Sequence, residues 1–334
     1  MRIINLFFLI LCSLASNGQT TWNLTWSEEF GGTQLDTSHW NFEIGTGNSG
    51  WGNNELQYYT ASSQNLFLQN GFAHFVARAQ PFGTSNYTSA RITTSEKFNL
   101  TYGRLEARIK IPIGNGLWPA FWLLGQNINS VSWPACGEID IMEHVSNSPN
   151  IHGTAHWNNN GHQSSGGTAS MNDNDFHLYT IQWDSLSIQW YLDGLPYFTL
   201  PITSPTFDAF HQPFFIILNL AVGGNWPGSP DINTPFPSEM WVDYVRYYQP
   251  EISTDIPSSS SRDLTFHCID NNLYIQNLNN LQGEYSLLDI TGKFIQSGKL
   301  NNSTSVALSD ISTGIYLMQI RSEHLNQVFK ISIP

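Results

Sequence analysis

The stretch Trp133-Pro134-Ala135-Cys136-Gly137-Glu138-Ile139-Asp140-Ile141-Met142-Glu143 sets three acids within six residues, spaced by apolar side chains. Side chains of a β-strand alternate between its two faces, so Glu138 and Asp140 share one face and Ile139 and Ile141 the other. Strict alternation would then turn Met142 toward the acids and Glu143 into the packed side. A one-residue bulge between Asp140 and Glu143 restores the parity and returns Glu143 to the acid face. Three carboxylates on one face repel one another and lose hydration, a cost that folding alone gives no reason to accept. Against a merely polar edge strand, the pattern points to chemistry on a neutral polymer.

The flanking sequence repeats the strand pattern. Phe72 to Arg78, Gly103 to Lys110 and Tyr179 to Trp183 alternate or nearly so, and Ser187 to Leu192 runs into Asp193-Gly194, a pair suited to a tight turn. No long helical periodicity appears. So many strands between Trp22 and Gln249 exceed one immunoglobulin-sized module and predict an all-β jelly-roll sandwich whose concave sheet carries an extended polymer. Beyond Pro250 the composition changes to that of a linker, with Pro257 and the run Ser258 to Ser261. A second β-rich unit follows, without an acid cluster, and predicts a small sandwich-like domain. The expected organisation is a signal peptide over 1–18, a catalytic domain over 19–249, a linker over 250–264 and a C-terminal domain over 265–334.

The 334 residues carry 13 Lys and Arg against 26 Asp and Glu, a net charge of −13, which leaves no basic surplus for nucleic acid or an anionic membrane. Twelve Trp, 13 Tyr and 20 Phe suit stacking on neutral sugar rings. At the N-terminus, Arg2, the apolar run Leu6 to Leu11 and the small residues through Gly18 read as a secretory signal cut after Gly18. Cys12 lacks the preceding small residues of a lipoprotein site. Cys136 and Cys268 fall in different predicted domains and are expected as free thiols.

Taken together, residues Phe30 to Tyr247 resemble family 16 of the glycoside hydrolases, especially its laminarinase-like endo-β-1,3-glucanases. The resemblance rests on Gly52-Asn53-Asn54-Glu55-Leu56-Gln57-Tyr58-Tyr59, Tyr87-Thr88-Ser89-Ala90-Arg91-Ile92, Gly116-Leu117-Trp118-Pro119-Ala120-Phe121-Trp122, the bulged acid signature, Phe215 to Gly224 and Asp243-Tyr244-Val245-Arg246-Tyr247. It implies a retaining mechanism with Glu138 as nucleophile, Glu143 as general acid and then base, and Asp140 between them raising the pKa of Glu143 and orienting Glu138. It also implies sugar contacts from Asn53, Glu55, Arg91, Trp118, Trp133 and His156, whereas Trp122 reads as core. No cofactor is expected for catalysis. One structural calcium is expected on Glu29, the Gly71 carbonyl and Asp243, all oxygen donors.

Tyr285 to Lys293 and Ser312 to Leu317 resemble the C-terminal sorting domain of type IX secretion, with Lys330 somewhat further from the end than is usual. A carbohydrate-binding module is the competing reading, disfavoured because no Trp follows Trp241. The expected protein is a monomer that engages β-glucan and the secretion machinery, working as a secreted protein or at the outer-membrane surface of a Gram-negative bacterium. Mixed-linkage glucan and agarose or carrageenan are the alternative substrates, transglycosylation an alternative outcome, and a non-catalytic glucan-binding protein the alternative class. The polar stretch Asn158 to Asp175 reads as a flexible rim too weak to block the cleft, which predicts endo attack.

Overall fold

The computed structural model describes residues 21–171, 175–251, 264–269, 272–277, 282–290, 293–301, 303–308, 311–322 and 326–333. The expected signal peptide, and residues 252–263 of the expected linker, lie outside them. The alternating runs pair into two large sheets. The first has the order β12 (His162–Ser170), β11 (Asn150–Asn158), β10 (Glu138–Glu143), β9 (Leu117–Gly125), β16 (Phe214–Val222), β7 (Arg91–Thr93) and β2 (Asn41–Phe42). The second has the order β15 (Leu195–Pro201), β14 (Ser187–Leu192), β13 (His177–Trp183), β8 (Gly103–Lys110), β17 (Ser238–Pro250), β5 (Phe72–Ala77) and β4 (Leu66–Gln69), with β1 (Trp22–Glu28) also paired to β17. A short parallel pair, β3 (Gln57–Tyr59) and β6 (Tyr87–Ser89), completes the unit.

Between the sheets lies one apolar core, drawn from Phe121, Leu123, Ile139, Ile216 and Leu218 of the first and Leu105, Ile109, Ile181, Trp190 and Val242 of the second. Alternation sends the other face of the first sheet outward, and there the acids stand. The predicted jelly-roll sandwich is what the chain forms. The chain divides into two compact units, one ending at Glu251 and the other beginning at Ile252. The second has its own core around Leu273, Ile275, Leu287, Met318 and Ile320. It pairs β18 (Leu264–Ile269), β19 (Asn272–Asn277) and β22 (Ser303–Ala307) in one sheet, and β21 (Phe294–Leu300), β20 (Gly283–Asp289), β23 (Gly314–Ser322) and β24 (Asn326–Ile333) in another. Cys136 and Cys268 are free thiols, one in each unit.

The bulge expected in β10 is present. Against β9, Asp140 pairs with Trp122 but Met142 pairs with Phe121, so Ile141 is the extra residue. Against β11 the register likewise slips between Asp140 and Glu143. Ile141 and Met142, neighbours in sequence, are both buried in the core, and Glu143 returns to the face of Glu138 and Asp140. A bulge frees backbone carbonyls from the ladder, and buried carbonyls need donors. The second sheet supplies them. The Trp190 indole N–H donates to the Asp140 carbonyl at 2.7 Å, and the Tyr197 hydroxyl lies 3.5 Å from the Ile141 carbonyl. Room for both rings comes from Gly153 of β11, where any side chain would run into Trp190 and Tyr197.

One segment departs from its reading. Asn158 to Asp175, expected as a flexible rim, contributes His162–Ser170 to an ordered edge strand paired residue for residue with β11. Its Ser, Gly and Thr residues alternate between exposed and half-buried, a period-two pattern too weak in hydrophobicity to read as a strand.

Trp190→Phe keeps the ring but deletes the donor to the Asp140 carbonyl. A buried carbonyl left unpaired costs about 1–3 kcal/mol. Denaturant unfolding should show that loss, with turnover falling alongside. Gly153→Ala should produce the same pair of effects by crowding. Unchanged stability in both would mean that the bulge does not depend on this contact.

Candidate active site

The acid face lines a cleft of ≈ 640 Å³. Each acid lies across the ladder from residues that line it too: Glu138 beside Leu124 and His156, Asp140 beside Trp122 and Thr154, and Glu143 beside Ala120. Local geometry fixes where the acid strand begins. Gly137 has φ +80, and a Cβ there would fall 2.8 Å from the Phe214 ring, so only glycine fits at the entry to β10. Asp140 and Glu143 are buried, while 18% of the Glu138 side chain is exposed.

Each acid has distinct company. His156 Nε2 stands 3.1 Å from Asp140 Oδ2 and 3.8 Å from Glu138 Oε1. The Trp118 indole N–H donates to Glu143 Oε1 at 3.0 Å. Burial pushes the Glu138 carboxyl up to about 8, helped by the Asp140 charge and opposed by His156, Arg91 and a hydrogen bond from Trp133. Burial alone lifts Asp140 to about 8. Glu143 is raised well above the usual carboxylate range by burial, then by Asp140 and Glu138. Such a cluster titrates as a unit and holds protons at neutral pH.

All the expected sugar-contacting residues line the cleft. Asn53, Glu55, Arg91 and His156 line the cleft, as does Trp133, whose indole is 46% exposed. Glu55 accepts from Gln57 Nε2 at 2.6 Å and from the Tyr59 hydroxyl at 3.2 Å, and burial raises its carboxyl. Arg91 is no surface arginine. It is ion-paired with Glu43, and its guanidinium lies 4.4 Å from the Trp51 ring centre and 5.0 Å from that of Trp122. Trp118, expected to stack on a sugar, lines the cleft too; most of its ring is buried, and its N–H is held by Glu143.

The exposed ring on that side is Trp226, 44% exposed and edge-on to Trp118 at 5.6 Å. It lies just past the stretch Phe215 to Gly224 and was not singled out in the sequence. Trp122, read as core, lines the cleft and donates its N–H to Asn219 Oδ1 at 2.8 Å. The alternation across Phe121-Trp122 held that answer, because without a bulge two adjacent strand residues face opposite sides. Trp51, Thr154, His162 and Asn219 also line the cleft and were not singled out in the sequence.

Glu138, Asp140 and His156 bring their donor atoms within 4.8 Å of one another, the one such group of acids and histidines among the described residues. A cation there would occupy the carboxylate oxygens that acid chemistry uses. The residues expected to hold calcium lie elsewhere. Strands β1 and β5 meet end to end beside β17, which brings Glu29 and Gly71 near Asp243. Both Glu29 oxygens, however, accept from Arg246 at 2.8 Å, and Asp243 Oδ2 accepts from Arg108 at 2.7 Å. As folded, these side-chain donors do not fit a calcium ion, because guanidinium groups already hold them.

Residues 45–246 match the family profile of Glycosyl hydrolases family 16, and residues 269–334 that of the Secretion system C-terminal sorting domain. The beta-glucanase of Rhodothermus marinus is 40% identical over 263 residues, covering 72% of this chain and 91% of that one. The alpha subunit of clotting factor G from Tachypleus tridentatus is 36% identical over 316 residues, but this chain spans only 44% of its length. Among solved structures, the laminarinase catalytic domain of Thermotoga maritima MSB8 is 42% identical with a TM-score of 0.63, covering 68% of this chain and 98% of that one.

A carboxyl raised from 4.5 to about 8 has a defined stability signature. Below pH 4.5 the folded and unfolded forms are both protonated, and the shift has no effect. As pH rises from 4.5 toward 8 only the unfolded form ionises, so the native state loses stability until the folded group ionises too. Glu138→Gln removes that penalty. Its melting temperature should match wild type at pH 4 and exceed it by roughly 5 °C at pH 7.5. An equal difference at both pH values would contradict the raised carboxyl.

Proposed function

This chain belongs to Glycosyl hydrolases family 16, and on that premise we propose that it cleaves internal β-1,3-glucosidic bonds of laminarin-type glucans with retention of configuration. The observation that carries this reading is the bulged strand that sets Glu138 and Glu143 on one face of an indole-lined cleft with Asp140 between them. Glu143, whose carboxyl is raised most strongly, holds a proton and donates it to the glycosidic oxygen as the bond breaks. Glu138 is the more solvated acid and has His156 and Arg91 to favour its charge, so it is the one that ionises and attacks the anomeric carbon. The covalent glycosyl-enzyme is then opened by water, which gives its proton to Glu143. Members of this family need no catalytic cofactor.

The substrate class follows from charge. Among the described residues lining the cleft, Arg91 is the sole arginine or lysine, and it is already paired with Glu43. Four acids, which repel sulfated or carboxylated sugars as they ionise, and a neutralised arginine favour neutral ones. Endo action is supported by the exposed indoles. Trp133 stands beside His156 at the Glu138 end, and Trp226 stands beside Trp118 and His152 at the Glu143 end. Each offers a pyranose face a platform, so sugar units bind on both sides of the broken bond. The sorting domain makes the protein a secreted one, and type IX machinery at a Gram-negative outer membrane is the route proposed for it.

Glu138→Gln and Glu143→Gln should each lower laminarin hydrolysis by about 10²–10⁴-fold or more while leaving glucan binding intact. Side-by-side digestion of laminarin, lichenan and agarose should give the fastest release from laminarin, with products of many lengths in the first minutes. Release from agarose alone, or a single short product throughout, would overturn the substrate or the endo reading.

A further inference from the structure

His162 lies on β12, outside the acid strand and its two neighbours, yet its ring reaches into the cleft lining. Its Nε2 stands 2.8 Å from His156 Nδ1, and the two rings are nearly parallel, with an interplanar angle of 16°. That is a hydrogen bond edge to edge, in which one nitrogen donates and the other accepts. The opposite edge of His156 faces the acids, with Nε2 3.1 Å from Asp140 and 3.8 Å from Glu138. A neutral imidazole carries one N–H. Asp140 Oδ2 accepts no hydrogen bond there, so His156 is held by its other edge: with the proton on Nε2, Nδ1 is a bare acceptor, and His162 is the donor placed to meet it.

We infer that His162 is a positioning residue for the hydrolysis, donating Nε2–H to His156 Nδ1 and so holding the His156 ring with its Nε2 edge turned to Asp140 and Glu138. The inference rests on the reading of Glu138 and Glu143 given above. The groups facing His162 are His156 on β11 and the Trp133 indole, whose ring centre is 4.6 Å away; behind His156 stand Glu138 and Asp140 of β10, with Arg91 of β7 acting on Glu138. Without His162 the His156 ring loses its hydrogen bond at Nδ1, and its Nε2 edge is free to turn from Asp140 and Glu138.

Three variants separate this role from packing against Trp133. His162→Phe keeps a ring for Trp133 but has no N–H, His162→Ala has neither, and His162→Gln restores an N–H donor. On soluble laminarin, Phe and Ala should lower kcat about tenfold with KM little changed. Gln should recover most of the loss. Wild-type kcat in the Phe variant would overturn the inference, as would failure of Gln to rescue. Glu138→Gln, assayed in parallel, keeps the two readings apart. Full turnover in that variant would remove the mechanism beneath, whereas its loss beside an unaffected His162→Phe removes only the role of His162.

Discussion

One extra residue in one strand decides what the rest of the molecule is for. With Ile141 inserted, β10 buries Ile139, Ile141 and Met142 and still presents Glu138, Asp140 and Glu143 together. The insertion frees carbonyls inside the sandwich, and the second sheet meets them with Trp190 and Tyr197, at the place where Gly153 leaves space. The site is thus anchored from behind. Two sheets, a glycine and two aromatic donors fix the direction of three carboxylates that never touch them.

The acids are held against their own repulsion. Burial raises all three, and the surroundings differentiate them: Glu143 receives a neutral N–H from Trp118, while Glu138 stands nearer water, His156 and Arg91. A proton kept on one carboxyl and a charge kept on the other are what a double displacement at a sugar requires. The cost to stability is borne by a large core, and a cleft with no unpaired arginine or lysine among the described residues leaves the charge for the substrate's anomeric carbon.

Much of this was legible in the sequence because period-two alternation is a strong signal wherever apolar and polar residues differ sharply. Glu138, Asp140 and Glu143, the bulge and the sandwich all follow from such stretches. Legibility failed where the signal weakened or depended on distant partners. His162–Ser170 is built of small polar residues and concealed an edge strand. Trp118 and Trp122 are two positions apart on β9, so they share the cleft face, yet the sequence reading sent one to the sugar and the other to the core. Which indole is exposed depends on Glu143, Asn219 and Arg91, residues brought alongside only by folding. Trp226 lies just past the stretch Phe215 to Gly224, where no alternation marks its exposure, and His162 acquires its role only through the hairpin that sets it beside His156. The oxygen donors at Glu29 and Asp243 read as a cation site until Arg246 and Arg108 are seen to hold them.

The central claim is that the bulge sets Glu138 and Glu143 close enough to act from opposite sides of one glycosidic bond by double displacement, which requires carboxyls about 5–5.5 Å apart rather than the wider spacing that admits a water. The most direct measurement is proton NMR of laminarin digestion, following the anomeric signals of new reducing ends before mutarotation mixes them. The account predicts that the β-anomer appears first and the α-anomer grows in later. Initial formation of the α-anomer would mean a single inverting displacement and would contradict it.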